Sequence, residues 1–375
     1  MRVAIFGAGY AGLTLARRLS DSLDDTELVV VDEHDSHLVQ HELHRLVRRP
    51  SLEDHLLLPL SELLGDVTVH ENRVTDVDPD EGVATFADGD DLTYDVGAVC
   101  LGGQPAFYDL PGIDAHATPL KRVEHAAAIR RDFLEGPEDG RVVVGGAGLS
   151  GIQVAGELVA LAREEGRSPT ITLLEREQSV APGFSGAFQR AIQDALLDRD
   201  IEVRTGARIS GATDTAVTLT EKGALPYDQF IWTGGIQGPA AFGGERPSVR
   251  STLSLTERTF VLGDSARVVD GNGQLVPATA QAAIRGAEVV ARNIERLLEH
   301  DPDSVFEPRF EQFVFDPRAW VVSVGDQVVA QVGPKVLTGH PAKVLKTTVG
   351  ARYMTSVGAV ADAVDVVYEE LGLTE

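Results

Sequence analysis

Apolar and polar positions along the chain fall into runs that predict alternating strands and helices. Arg2–Phe6 is a short strand-like apolar run. The turn Gly7-Ala8-Gly9-Tyr10-Ala11-Gly12 follows it, and Leu13–Leu19 has helical spacing. Glu27–Val31 is a second apolar run that stops at Asp32. Val83–Phe86 lies between Asp78-Pro79-Asp80-Glu81-Gly82 and Asp88-Gly89-Asp90-Asp91, whose turn residues predict a small antiparallel meander. Tyr94–Leu101 predicts a buried strand ending at Gly102-Gly103. The opening order then recurs: a strand at Arg141–Val144, a turn over Gly145-Gly146-Ala147-Gly148-Leu149-Ser150-Gly151, and helical spacing over Ile152–Leu161. The next strand, Thr170–Leu174, stops at Glu175. Phe260-Val261-Leu262 runs into Gly263-Asp264, and Ala280–Leu298 predicts a long helix. The 375 residues leave room for two or three domains.

The two glycine turns carry chemistry. A backbone can approach a pyrophosphate closely only where side chains are missing, and a helix N-terminus offers it free N–H groups. Gly7, Gly9 and Gly12 fit the GxGxxG spacing, and so do Gly146, Gly148 and Gly151. Each turn follows a strand and opens a helix. Each also has an acid at the end of the next strand, Asp32 and Glu175, placed to bond a ribose hydroxyl. Two nucleotide sites in one chain imply two cofactors that exchange electrons, with flavin and nicotinamide the natural pair. Glu175 favours a free 2′-hydroxyl, hence NADH, while the adjacent Arg176 could pair with a 2′-phosphate and tempers that preference for NADH over NADPH.

Charge and cysteine content narrow the class. The 33 basic residues face 58 acidic ones, a formal net charge of −25, which disfavours nucleic-acid binding through a general basic face. Only five residues are Lys, a balance expected of a protein working in concentrated salt. The one cysteine, Cys100, excludes an intrachain disulfide, a CxxC pair and a cysteine zinc site. The chain enters a strand at once, leaving no room for a signal peptide, and holds no apolar run of membrane-spanning length. A soluble cytoplasmic protein is expected. His34, His37, His41 and His44 would line one face of a helix with Glu42, but read as packing or surface histidines and not as a metal site.

These motifs resemble the flavin-dependent pyridine-nucleotide oxidoreductases with two dinucleotide-binding domains, and among them the type II NADH dehydrogenases. His37-Leu38-Val39-Gln40, Asp95–Gly103, Val142–Leu158, Ile231-Trp232-Thr233-Gly234-Gly235, Val261-Leu262-Gly263-Asp264 and Pro277–Ala283 carry the resemblance. It implies an α/β chain with two Rossmann-like domains: a discontinuous FAD domain over 1–115 and 245–305, an inserted NAD(P)H domain over 116–244, and a small C-terminal domain over 306–375 for membrane docking or dimerisation. FAD would take Gly7, Gly9, Gly12 and Asp32 on its ADP half, Asp264 on its ribityl chain, and Ala280-Gln281 at its ring. Tyr10, Ala11, Glu33, His37, Val74, Leu101, Gly102 and Gly263 would join the cofactor-binding set. NADH would take the second turn, with Gly146, Gly148, Leu149, Gly151, Glu175 and Gly234. Gln153, Gln281 and Arg285 would be the catalytic positions. Two of them depart from the family: Arg285 stands where a second Gln is usual, and Gln153 where an acid is usual. The implied activity is that of a non-proton-pumping NADH:quinone oxidoreductase, peripheral on the cytoplasmic membrane face. The rivals are an NAD(P)H-dependent reductase of a ferredoxin- or rubredoxin-type protein and a flavoprotein with negligible turnover. With a single cysteine, the disulfide chemistry of the glutathione-reductase type is excluded.

Gln327–Ala361 holds no Asp or Glu but carries Lys335, Lys343, Lys346 and Arg352 among apolar residues, as suits an anionic membrane surface. The alternative is a sheet region packed on the flavin domain. Beyond it, Val357, Val360, Val364, Val367 and Leu371 form one helical stripe, with Asp362, Asp365, Glu369 and Glu370 away from it. An acidic polar face argues for packing on the protein body or on a second subunit, as in a homodimer.

Overall fold

The computed structural model describes residues 1–23, 26–221, 223–301, 304–317, 319–359, 362–364 and 367. In chain order, the elements that position the sites are β1 (Arg2–Phe6), α1 (Tyr10–Ser20), β2 (Glu27–Asp32), β3 (Thr68–Glu71), β4 (Val96–Val99), β5 (Thr118–Pro119), β6 (Arg141–Gly145), α2 (Leu149–Glu164), β7 (Thr170–Leu174), β8 (Glu202–Arg204), β9 (Gln229–Trp232), β10 (Thr259–Val261), α3 (Ala280–Leu298), β11 (Ala319–Val324), β12 (Gln327–Val332), β13 (Lys335–Thr338) and α4 (His340–Ser356). They divide into two compact units. The first comprises residues 1–38, 57–104 and 236–317, and the second 39–56, 105–235 and 318–375.

The first unit is built on a five-stranded parallel sheet in the order β10-β4-β1-β2-β3. Val3, Ala4, Ile5 and Phe6 are all buried, as expected of a parallel strand covered on both faces. Leu13, Leu15, Ala16 and Leu19 of α1 are buried, and α1 packs against α3. The anticipated meander forms from Val74–Asp78, Val83–Phe86 and Leu92–Thr93.

The second unit repeats the plan, with a parallel sheet in the order β5-β9-β6-β7-β8. Helix α2 is buried over most of its surface, so it needs partners on both sides. A 3-10 helix over Gln40–Val47 and the antiparallel sheet β11-β12-β13 supply them. The contact is close. A Cβ on Gly156 of α2 would lie 2.3 Å from the Gly325 backbone nitrogen in the β11–β12 turn. Arg48 anchors the same junction through Glu164 at 2.6 Å and Asp326 at 2.7 Å. Hydrogen bonds from Arg49 and Arg48 hold the Glu164 carboxyl down at about 2.

The C-terminal region differs from expectation. Residues 318–375 cluster with the second unit and do not stand as a separate body. The acid-free stretch contains α4, a helix that the apolar pattern did not reveal. Lys346 is buried and lies 3.4 Å from Glu42, so it is no part of a basic surface. Lys335 and Arg352 are exposed and Lys343 half-buried. On the last stripe, Val357 is buried, Val364 exposed, and Asp362 bonds His55 Nδ1 at 3.2 Å. Val360, Asp365, Glu369, Glu370 and Leu371 lie outside the described residues. Among those described, no helix is long and apolar enough to cross a membrane.

The α2 junction makes Gly156→Ala a sharp test. The added methyl overpacks a backbone contact and is expected to lower stability by about 1–3 kcal/mol, read as the denaturant midpoint. An unchanged midpoint would contradict the packing of β11–β12 on α2.

Candidate functional site

The two glycine turns have the same geometry. Gly7 and Gly146 adopt φ +99° and +106°, which an L side chain rarely adopts. A Cβ on Gly12 would sit 1.7 Å from the Gly7 carbonyl oxygen, and one on Gly151 would sit 1.9 Å from that of Gly146. The third glycine of each motif therefore lets the helix close onto its own turn. The middle glycine is different: a Cβ on Gly9 or Gly148 meets no atom within 4 Å. That open space lies at the helix entrance, where a pyrophosphate would approach.

Each helix entrance is bare. Gly9 caps α1 and Gly148 caps α2 with no side-chain hydrogen bond, and neither first turn holds an acid. By contrast, the Thr279 hydroxyl accepts from the Ala282 N–H at the start of α3. Uncapped N–H groups and an uncompensated positive helix end are the features that bind an anion.

The acids latch these turns. Asp32 accepts from the Ala8 N–H at 2.6 Å and from the His34 N–H at 2.9 Å. Glu175 accepts from the Ala147 N–H at 2.9 Å and from the Glu177 N–H at 3.0 Å. Burial raises the Asp32 carboxyl above its usual range against these two bonds. Thr233 closes the second turn from the neighbouring strand end, its hydroxyl donating to the Gly146 carbonyl at 2.9 Å.

The first unit gathers most of its expected residues around its turn. The His37 ring meets the Ala8 carbonyl at 2.9 Å and packs edge-on to Tyr10. A Cβ on Gly7 would lie 2.9 Å from Leu101 Cα. A Cβ on Gly263 would reach Ala11 at 3.4 Å and Ala283 at 3.6 Å, so the entrances of α1 and α3 converge there. Arg246 fixes that corner by donating to the carbonyls of Asp264 and Ala266. The Ser265 hydroxyl donates to the Gly102 carbonyl. Val74 is buried in the meander. Ala280 and Gln281 open α3, and Gln281 Oε1 is buried with no hydrogen-bond partner among the described residues. Two expected residues turn elsewhere: Glu33 pairs with Arg73 at 3.0 Å, and Arg285 donates to the Asp316 carbonyl.

In the second unit, Leu149 begins α2, and Gly234 lies just beyond β9, close under the Trp232 ring. Gln153 contacts His44 Nε2 at 3.3 Å, and the same nitrogen lies 3.0 Å from Ser323 Oγ. His44 is a residue that sequence reasoning set aside as ordinary packing. The four histidines do not share a face: His34 and His37 belong to the first unit, His41 and His44 to the second. Burial and the nearby Lys346 push the His44 imidazole down to about 3. Burial alone would raise the Glu42 carboxyl, but Lys346 and Arg45 hold it well below the usual carboxylate range. Cys100 is buried, and burial pushes its thiol above the usual range.

A family model described as pyridine nucleotide-disulphide oxidoreductase matches residues 1–287. The chain is 30% identical over 321 residues to the demethylphylloquinone reductase NdbB of Synechocystis, covering 78% of each. It is 25% identical over 395 aligned positions to a type II NADH:quinone oxidoreductase of Staphylococcus aureus, covering 96% of each. The fold resembles that of NDH2 from Plasmodium falciparum solved with NADH, with a TM-score of 0.84 at 14% identity over 98% of this chain and 97% of that one.

Two measurements check this geometry. Gly148→Ala adds a single methyl in open space, so dinucleotide affinity should fall about tenfold or more while stability drops only by the modest cost of Ala at an N-cap, about 1 kcal/mol; unchanged affinity would contradict the cradle. The buried neutral His44 sets a pH dependence. The unfolded chain protonates this imidazole below about 6.5, the folded chain only near 3. Stability should therefore fall from pH 6.5 towards 4, by up to about 1.4 kcal/mol per unit. His44→Gln should flatten that slope, and equal slopes would contradict it. Glu42 acts lower, since its contribution is present above about 4.5 and is lost with further acidification.

Proposed function

Because the chain belongs to the pyridine nucleotide-disulphide oxidoreductase family, we propose that it is an NADH dehydrogenase that holds FAD in the first cradle, takes NADH in the second and delivers the electrons to a quinone. The observation that carries this reading is the duplication: two bare helix entrances, each with an open middle glycine and a latched acid. FAD supplies, when bound, a carrier that accepts a hydride and passes electrons on.

The residues present fit that group. The N–H groups at the start of α1 would hold the pyrophosphate, and the space beside Gly9 would admit it. Asp32 keeps lone pairs for the ribose beyond the two it gives to Ala8 and His34. The corner at Gly263-Asp264, where Arg246 holds the Asp264 carbonyl, would place Asp264 at the ribityl chain. Gln281 Oε1 is a buried acceptor without a donor among the described residues, and a flavin ring N–H would satisfy it. In the second unit the N–H groups of α2 hold the NADH pyrophosphate, and Glu175 favours a free 2′-hydroxyl over a 2′-phosphate.

Cys100 is the one cysteine and is buried, so no disulfide relays the electrons onward. A diffusible acceptor must collect them. The quinone-reducing relatives named above support a quinone in that role. The acid-free stretch that carries β13 and α4 supports placing the enzyme on an anionic membrane: Lys335 and Arg352 are exposed, and so are Val344 and Val349, at 45% and 47% exposure.

Anaerobic addition of NADH is expected to bleach the flavin spectrum, and a quinone to restore it. Failure to bleach would overturn the donor, and reoxidation by a ferredoxin-type protein alone would replace the acceptor. Glu175→Ala should raise the KM for NADH about tenfold and improve NADPH relative to it. Unchanged kinetics with both would overturn the second site. Replacing Lys335, Lys343 and Arg352 with Gln should weaken binding to anionic vesicles about 100-fold at low salt, at ~1 kcal/mol per charge. Equal binding would remove the membrane reading.

A further inference from the structure

Gln153 stands in the second turn of α2, five residues past the cap at Gly148. At 1.5 Å per residue that is about 7 Å along the axis, a distance within one nucleotide half of the pyrophosphate cradle. An amide there has two unlike ends, and which one faces a ligand depends on what holds the other. The structure supplies the holder. His44 Nε2 lies 3.3 Å from Gln153 Nε2 and 3.0 Å from Ser323 Oγ. With the amide nitrogen on that side Gln153 donates, and His44 Nε2 accepts through its one lone pair, which the Ser323 hydroxyl shares as a second donor.

We infer that His44 is a positioning residue for NADH: its unprotonated Nε2 accepts from the Gln153 amide, fixing Gln153 with Oε1 directed to the nucleotide as an acceptor for the nicotinamide carboxamide N–H. This rests on the second cradle being the NADH site. The inference explains why an amide serves at a position where the resemblance leads one to expect an acid. A carboxylate accepts at either end, whereas an amide accepts only at Oε1 and must be held the right way round. His44 does the holding, and Ser323 of β11, which also meets Nε2, fixes the plane of the ring.

The surroundings keep that nitrogen bare. His44 is buried, and the charged groups facing it are Glu42, Arg45 and His41 from its own helix and Lys346 from α4. Burial comes first in opposing a second proton, and Lys346 and Arg45 add to it, while Glu42 works the other way. The imidazole therefore stays neutral, with its single proton on Nδ1, throughout the pH range of catalysis.

The test uses the FAD-loaded enzyme. Histidine labelled with 15N should show His44 Nε2 as an unprotonated acceptor from pH 5 to 8. A protonated Nε2, or a titration in that range, would overturn the proposal. In rapid mixing with NADH, His44→Phe should bleach the flavin about tenfold more slowly and weaken NAD⁺ binding. His44→Gln, which returns an acceptor oxygen to the place of Nε2, should recover to within about threefold of the parent. Parent-like rates in His44→Phe, or no recovery in His44→Gln, would overturn it. Should His44→Phe fail to fold, Gln153→Glu answers the same question. A carboxylate can only accept, so in Gln153→Glu the His44 proton should move from Nδ1 to Nε2, read as a 15N shift against the parent. A His44 Nε2 that stays unprotonated in Gln153→Glu would overturn the proposal. A parent enzyme that NADH does not bleach would overturn the assignment of the second cradle itself, and is told apart by the 15N result, which needs no nucleotide.

Discussion

A carbonyl oxygen 1.7 Å from where a side chain would begin is the constraint on which the first unit is organised. Gly12 can be nothing else, because α1 folds back onto the turn that launched it. Gly151 repeats the constraint in the second unit at 1.9 Å. Only with the helix this close to its strand does the helix entrance sit over the sheet edge with its N–H groups unspent. The bare cap, the open space beside the middle glycine and the reach of the acid from the next strand all follow from that approach.

The acids give the turns a second dependence. Asp32 and Glu175 are expected from sequence as ribose readers, yet in the structure each holds the N–H of the alanine between the first two glycines. One carboxylate thus shapes the phosphate cradle and stands ready for the sugar. A substitution at either position acts on both, so its effect on nucleotide choice is never a pure measure of ribose recognition.

Much of this was legible in the chain. β1, β2, β6 and β7 are apolar runs closed by turn residues or an acid, and α3 spans the residues its apolar spacing marks out, Ala280–Leu298. The turns and their acids declare themselves because their chemistry is local. What could not be read was set by distance. Lys346 looked like a surface base because its partner Glu42 comes some 300 residues earlier. His44 looked like packing because Gln153 and Ser323 reach it from remote segments. α4 carries no regular apolar stripe, is capped by Gly339 and holds Pro341 in its first turn, so periodicity had nothing to find. The assignment of 39–56 to the second unit depends likewise on tertiary partners such as Glu164 and Asp326 that no local pattern announces.

The Lys346–Glu42 pair also has a history in time. Glu42 leaves the ribosome some 300 residues before Lys346, the cation that pairs with it. At about 5–20 residues per second, roughly 15–60 s separate the two. For that interval Glu42, His44 and the outer face of α2 stay open to water, and the second unit cannot finish its core however soon its sheet is complete. The nascent chain thus carries an unfinished unit through that interval, the face of α2 that the β11–β12–β13 sheet covers staying bare until those strands are made.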